Sequence, residues 1–151
     1  MRPARSGIRA RATDAVTGLL STGDRVSEWR LNAAGADDLP NLTLKFGKDQ
    51  EHVSDDIDNA LGVREVRDLP LTIEISEVQR GDKDNANTLT IIDTICAEVE
   101  TGLTGYTPLT NGIDDVRLLT TEIEMTGGGE WPVAVATQEW IIRYTVDRTN
   151  P

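Results

Sequence analysis

The residues best suited to nucleophilic or acid–base chemistry are the single histidine, His52, and the single cysteine, Cys96. A general base must reach the proton that it removes, and a third group must orient it. Asp55 and Asp56 follow His52 closely, but no serine or cysteine stands in a recognisable nucleophile motif. Cys96 falls on the apolar stripe of a predicted helix, where a thiol behaves as a small buried hydrophobic group. We interpret His52 as a solvated loop residue and Cys96 as a core residue, and we expect no enzymatic activity.

Two groups of carboxylates offer the oxygen ligands that hard cations prefer: Asp55, Asp56 and Asp58, and Asp114 with Asp115. Acidic residues in predicted loops are usually solvated, which is the simpler interpretation of both groups. The segment 82–87 begins like a calcium loop, but its fifth and sixth positions hold Ala86 and Asn87, and the twelfth holds Asp93. A calcium loop needs a ligand, a glycine and a glutamate at those places. We expect no metal and no cofactor.

A glycine triplet at 127–129 raises the question of a phosphate-binding loop. Such a loop needs the pattern GxxxxGK[ST] between a strand and a helix, because the lysine and the helix N-terminus hold the phosphates. Here the triplet separates two predicted strands, and Glu130 follows it with a charge that repels phosphate. We interpret the triplet as the tip of a hairpin.

The charge of the chain is strongly acidic and unevenly distributed. Lys and Arg number 15 against 26 Asp and Glu, for a net charge of −11, which argues against overall electrostatic attachment to DNA or to an anionic membrane. Four arginines, however, stand in the first eleven residues, which contain no acidic residue: Arg2, Arg5, Arg9 and Arg11. The chain is therefore an acidic body with a short basic arm, of which we expect residues 1–6 to be flexible.

Hydropathy favours an intracellular protein without a membrane segment. The apolar runs are far shorter than the ~20 residues that span a bilayer. No apolar stretch follows the N-terminal arginines, as it would in a secretory signal. A single cysteine excludes an internal disulfide, which argues against a small secreted protein held together by disulfides.

The spacing of apolar residues predicts two helices, at 7–20 and 87–103, and four strands, at 40–46, 63–79, 113–125 and 132–146. In the third strand, strict alternation places one set of residues on a single face: Arg117, Leu119, Thr121, Ile123 and Met125. The polar segment 47–62 has no sustained period, and a connection of that length is usually functional or disordered.

Strands that occur in pairs can close as hairpins, which favours an antiparallel sheet. We therefore predict one α+β domain over residues 1–151. It has two layers, with a largely antiparallel sheet of four or slightly more strands and two helices on one face, in the order α-β-β-α-β-β. The other face is expected to be polar, with Glu74, Thr120, Glu122, Glu139 and Arg143.

Several segments together resemble a known family: the arginine-rich first helix, 23–26, 39–42, 71–75, 92–100, 119–122 and 140–145. The chain resembles the tail terminator family (minor tail protein U-like) of long-tailed bacteriophages. The resemblance implies a structural virion protein, assembled in the host cytoplasm and located at the head–tail junction. Its hexameric ring would cap the head-proximal end of the tail tube and stop tube polymerisation. The resemblance implies no catalytic residue and no cofactor.

The partners that the resemblance implies are further copies of the chain, the major tail tube protein, and the head completion or connector proteins. Double-stranded DNA would pass through the lumen without specific binding. We expect the basic arm, Arg2, Arg5, Arg9 and Arg11, to contact an acidic neighbouring subunit. We expect a second set to face the tail tube: Lys48, Asp49, Glu51, His52, Asp55, Asp56 and Asp58. The alternatives are another neck or head-completion protein, and a small α+β ligand-binding domain or enzyme.

Overall fold

The computed structural model of the chain describes residues 4–28, 39–51, 64–78, 86–106, 113–126 and 133–147. These residues form two helices, α1 (Ala4–Ala15) and α2 (Ala86–Gly105). They also form six strands: β1 (Val26–Glu28), β2 (Asn41–Phe46), β3 (Gln50–Glu51), β4 (Arg64–Val78), β5 (Asp115–Thr126) and β6 (Val133–Asp147). The predicted α+β class is confirmed.

All six strands belong to one mixed sheet. Five of them lie side by side in the order β1-β2-β4-β6-β5, and β3 pairs with the first part of β4. β4 and β6 are antiparallel along their whole length, from Arg64 opposite Asp147 to Val78 opposite Val133. The expected antiparallel pairs β2–β4 and β5–β6 are present, but β1 joins β2 in parallel. The prediction missed β1 and β3 because strands of three and two residues are too short to show an alternating pattern.

One face of the sheet, here called the inner face, carries the core. Cross-strand partners such as Leu44, Ile73 and Gln138 share this face. The largest buried side chains of the three central strands lie there too: Leu42, Leu69, Leu71, Ile75, Trp140 and Tyr144. They form one hydrophobic cluster with the inward residues of both helices, including Ile8 and Ala12 of α1 and Ile92, Ile95 and Val99 of α2. Both helices therefore pack on the inner face, as predicted.

The two helices approach each other closely at one glycine. A Cβ atom at Gly102 of α2 would lie only 2.8 Å from the backbone oxygen of Ala15, at the end of α1. After α1 the backbone NH of Ser21 donates to Glu98 Oε1 at 2.9 Å, and the Ser21 hydroxyl contacts the other carboxylate oxygen. The core contacts of α1 are thus supplemented by polar contacts with α2.

Helix α1 is displaced from its predicted bounds. It begins at Ala4 and ends at Ala15, whereas the apolar pattern predicted 7–20. Gly18 has φ +82° and Gly23 has φ +53°, values that favour glycine and end the helix in a tight turn. The amide of Gly18 donates to the oxygen of Gly23 at 2.9 Å inside this turn. Residues 4–6 of the expected flexible arm are helical.

The face assigned to β5 is wrong in its first half. The register between β5 and β6 shifts between Leu118 and Thr120, and the extra residue of a bulge reverses the alternation that follows it. Val116 and Leu118 therefore share the inner face with Thr121, Ile123 and Met125, opposite Ile142, Trp140, Gln138, Ala136 and Ala134. Arg117 lies opposite Ile141, away from the core.

Candidate interaction surfaces

The arginines of α1 contact groups of their own chain. Arg5 Nη2 donates to the backbone oxygen of Gly47 at 2.6 Å, and Arg5 Nε lies 3.1 Å from Asp49 Oδ2. Arg9 pairs with Glu28 of β1 at 2.9 Å and lies over the ring of Phe46, 5.5 Å from its centroid. The Arg5 and Arg9 side chains each remain 35% exposed. The basic side of α1 therefore lies along the β1–β2 edge of the sheet.

The remaining two arginines of the predicted subunit interface are placed differently. Arg11 Nε donates to the backbone oxygen of Gly7 at 3.3 Å, one turn earlier in α1. Arg2 lies outside the described residues. The role of all four arginines between subunits stays a prediction.

Asp49 is the centre of a polar cluster at one end of the sheet. Its Oδ2 accepts a hydrogen bond from the hydroxyl of Tyr144 at 2.8 Å in addition to the contact with Arg5. Burial is the main cause and the hydrogen bond to Asp49 the second cause of a pKa of about 12 for Tyr144, raised from 10.0, although Arg67 lowers this pKa. Arg67 completes the cluster with a hydrogen bond to the Tyr144 hydroxyl. Its Nη2 also donates to Glu65 at 3.3 Å, and the Glu65 carboxylate raises the pKa of Arg67.

This cluster holds the beginning of the segment that was predicted to face a tail tube. Asp49 contacts Arg5 of α1 and Tyr144 of β6. Lys48 is exposed. Glu51 belongs to β3, where its backbone lies opposite Arg67 of β4. Four other residues of that prediction lie outside the described residues: His52, Asp55, Asp56 and Asp58. That this segment meets a tail tube stays a prediction.

β5 carries the longest continuous run of exposed side chains among the described residues. It pairs with β6 on one side and is the last strand on its side of the described sheet. The side chains from Leu119 to Met125 are all exposed, although three of them are large and apolar: Leu119 at 49%, Ile123 at 37% and Met125 at 38%. Ile123 and Met125 belong to the inner face, so the helices leave this part of the inner face uncovered.

The outer face, which is the side of the sheet away from the helices, is polar, as predicted, and carries ion pairs. Arg143 Nε and Nη2 on β6 donate to the two carboxylate oxygens of Asp68 on β4, at 2.8 and 3.2 Å, and this contact raises the pKa of Arg143. Lys45 Nζ lies 2.6 Å from Glu74. The Thr120 hydroxyl donates to Glu139 at 3.2 Å.

The two aspartates before and at the start of β5 line a shallow cavity. Thr104, Ile113 and Val116 line it with them, and its volume is about 250 Å³. The Thr145 hydroxyl donates to Asp114 at 2.7 Å, so one of the two carboxylates is engaged within the chain. Among the described residues no group of three or more His, Cys, Asp or Glu is placed to hold a metal ion.

Cys96 lies in the core, as predicted, with 7% of its surface exposed. Burial is the main cause that raises the pKa of its thiol from 9.0 to about 11, and the charges of Asp93 and Glu100 add to the effect. The thiol is therefore protonated near neutral pH and is a poor nucleophile. Of the helices described, neither is long and apolar enough to span a membrane.

The calcium-loop-like segment 82–87 and the glycine triplet 127–129 lie mainly outside the described residues. The calcium-loop-like segment loses its last two positions to helix, because Ala86 and Asn87 begin α2, and its residues 82–85 are not described. The glycine triplet 127–129 is also not described, but its flanks β5 and β6 pair from Thr126 opposite Val133, as a hairpin requires.

Comparison with known proteins leaves the family open. No protein-family model matches the chain, and no curated protein shows significant sequence similarity to it.

Proposed function

We propose that the protein is a structural component of a tailed bacteriophage or phage-like particle, and that it acts as the tail terminator. In this role copies of the chain assemble into a hexameric ring on the head-proximal end of the tail tube. The ring stops tube polymerisation and offers its other side to head completion or connector proteins.

The observation that carries this proposal is the exposed second half of β5. A strand with an unpaired edge and exposed apolar side chains is prone to pair with another chain, and proteins usually shorten, charge or cover such edges. Here Leu119, Ile123 and Met125 are exposed along the last strand on that side of the described sheet. Incorporation into an assembly would cover them.

The layout of the sheet supports two distinct axial surfaces. The connection that follows β3 starts beside Arg67 and Tyr144, near the end of β6. The connection between β5 and β6 leaves from the opposite end, where Thr126, Val133 and Val78 lie side by side. A ring built from such subunits would present one connection toward the tail tube and the other toward the head.

The charge of the chain suits the passage of DNA through the ring. The net charge of −11 repels phosphates, so DNA would pass through an acidic lumen without adhering. We place the ring in the virion at the head–tail junction, after assembly in the host cytoplasm.

A binding experiment tests the terminator role against the closest alternative. Purified protein is mixed separately with cognate tail tubes and with cognate connector complexes, and both mixtures are imaged by negative-stain electron microscopy. A terminator caps one end of the tubes and prevents their further growth when tube protein is added. Binding to connector complexes alone would contradict the terminator role and favour a neck or head-completion protein.

A further inference from the structure

The two outer edges of the described sheet differ in charge and in covering. At one edge, α1 and β1 together have three arginines, one aspartate and one glutamate, Glu28. At the other edge, β5 has three acidic residues and one arginine. These edges lie at opposite ends of the strand order β1-β2-β4-β6-β5. One molecule therefore has two complementary edges.

We propose that successive copies join head to tail, with β5 of one copy against the edge of the next copy formed by β1 and α1. This inference rests on the proposed ring and names the surfaces that would build it. Opposite charges at such a contact speed association and fix the register of the partners.

The uncovered apolar side chains fit this arrangement. When one sheet continues into another, the inner faces of the two copies lie on the same side. Ile123 and Met125 of β5 belong to the inner face, and α1 covers the inner face beside β1, with Arg9 bound to Glu28 and placed over Phe46. The neighbouring α1 would therefore cover the apolar residues that this copy's own helices leave exposed.

A two-fold contact between two β5 strands that is centred on the exposed Ile123 fits the charges poorly. Antiparallel pairing centred on Ile123 would place Glu122 of each copy opposite Glu124 of the other, and like charges at opposite positions destabilise a sheet. Such an isologous contact would also stop at a dimer, whereas a head-to-tail contact can close a ring. The charges therefore disfavour this register, and the closure of a ring favours the head-to-tail contact.

The first test blocks the β5 edge. The variant Ile123→Glu/Met125→Glu adds two charges at partly exposed positions, and Thr94→Glu/Ala97→Glu adds the same two charges on the exposed side of α2. Native mass spectrometry over a range of protein concentrations measures assembly, and circular dichroism verifies folding. We expect the β5 variant to need about ten-fold more protein or more for half-assembly, and the α2 variant to assemble like the wild type.

The second test examines the polarity of the contact. The variant Arg11→Glu reverses a charge on α1 while leaving β5 intact. At the protein concentration that half-assembles the wild type, each blocked variant alone should stay mainly monomeric. A mixture of the two should give dimers, because one complementary pair of edges remains. A mixture that stays monomeric would overturn the head-to-tail contact.

The outcomes separate this inference from the ring itself. Wild-type rings together with unchanged rings of the β5 variant would overturn the proposed edge contact but leave the ring intact. A wild-type protein that stops at a dimer would also overturn it, in favour of the two-fold contact. A wild-type protein that forms no ring, alone or on tail tubes, would contradict the proposed function as well.

Discussion

Arg5 of α1 and Asp49, just beyond β2, form an ion pair with 3.1 Å between Nε and Oδ2. The same carboxylate oxygen accepts the hydroxyl of Tyr144 from β6 at 2.8 Å. The first turn of α1, the connection after β2 and the end of β6 are therefore held together at one point. The basic arm and the polar segment, which we predicted as two separate contact regions, meet in the folded chain.

Replacing Asp49 should weaken this junction. In Asp49→Ala the hydroxyl of Tyr144, a side chain that is 1% exposed, keeps its hydrogen bond from Arg67 but loses its acceptor. A buried donor without an acceptor costs about 1–3 kcal/mol. The lost ion pair with the partly exposed Arg5 adds little to this cost in stability, because surface ion pairs contribute only about 0–1 kcal/mol. Urea unfolding of the variant should show this loss, whereas Lys48→Ala, at the exposed neighbour, should unfold like the wild type.

A double-mutant cycle identifies the cause of the loss. Adding Tyr144→Phe to Asp49→Ala removes the unsatisfied hydroxyl, so the second substitution should cost much less there than in the wild type. Equal costs in the two backgrounds would show that Asp49 and Tyr144 do not stabilise each other.

Because the helices approach each other closely at Gly102, replacing this glycine by alanine should destabilise the fold, although such a substitution usually stabilises a helix. Alanine is favoured over glycine by about 1 kcal/mol inside a helix, and Gly7→Ala in α1 should gain about that much, since nothing lies within 4 Å of its Cβ position. Gly102→Ala should instead lose about 1–3 kcal/mol, because its Cβ would meet the Ala15 oxygen at 2.8 Å and force the helices apart. Thermal unfolding of both variants measures the difference, and stabilisation of both would contradict the described contact.

Cys96 should be unreactive while the chain is folded. Its thiol is buried and its pKa is raised to about 11, so the thiolate that reacts with alkylating reagents is scarce near neutral pH. We expect iodoacetamide to modify the folded protein far more slowly than the urea-unfolded protein. Equal rates would place the thiol at the surface.

The buried thiol of Cys96 and the buried hydroxyl of Tyr144 are weak acids, and both predict a loss of stability at alkaline pH. An acid whose pKa is raised by folding stabilises the folded state fully below the unfolded pKa, and the benefit is lost as the pH rises to the folded value. The windows run from 9.0 to about 11 for Cys96 and from 10.0 to about 12 for Tyr144. At 1.36 kcal/mol per pKa unit, each loss is at most about 3 kcal/mol.

Variants of each residue should separate the two windows. Cys96→Ala should flatten the decline in unfolding free energy in the lower window, and Tyr144→Phe should flatten it in the upper one, both measured by urea unfolding at a series of pH values. An unchanged decline in both variants would show that other groups cause the alkaline unfolding.

Long periodic elements could be predicted from the sequence, and short or long-range features could not. The alternation of Leu69, Leu71 and Ile73 marks β4, and the spacing of Ile92 and Val99 marks α2, because burial imposes the period of each element. β1 has three residues, too few for a period, and the bulge after Leu118 leaves no mark on an alternation that includes apolar residues on both faces.

The interaction surfaces were only partly predictable for the same reason. The arginines of α1 are visible as a cluster in the sequence, but their partners Asp49 and Glu28 are brought near by packing between distant segments. Ile8 of α1 lies in the core and is 2% exposed. A deletion of residues 1–11 would remove it, so point variants test the role of the arm more cleanly.

The most direct test of the proposed function is the mass and shape of the purified chain, measured by native mass spectrometry and by negative-stain electron microscopy with tail tubes. We predict a closed ring near 99 kDa, six times the chain mass of 16.5 kDa, free or seated on a tube end. A monomer at every concentration that also leaves tube ends bare and growing would contradict the proposed function.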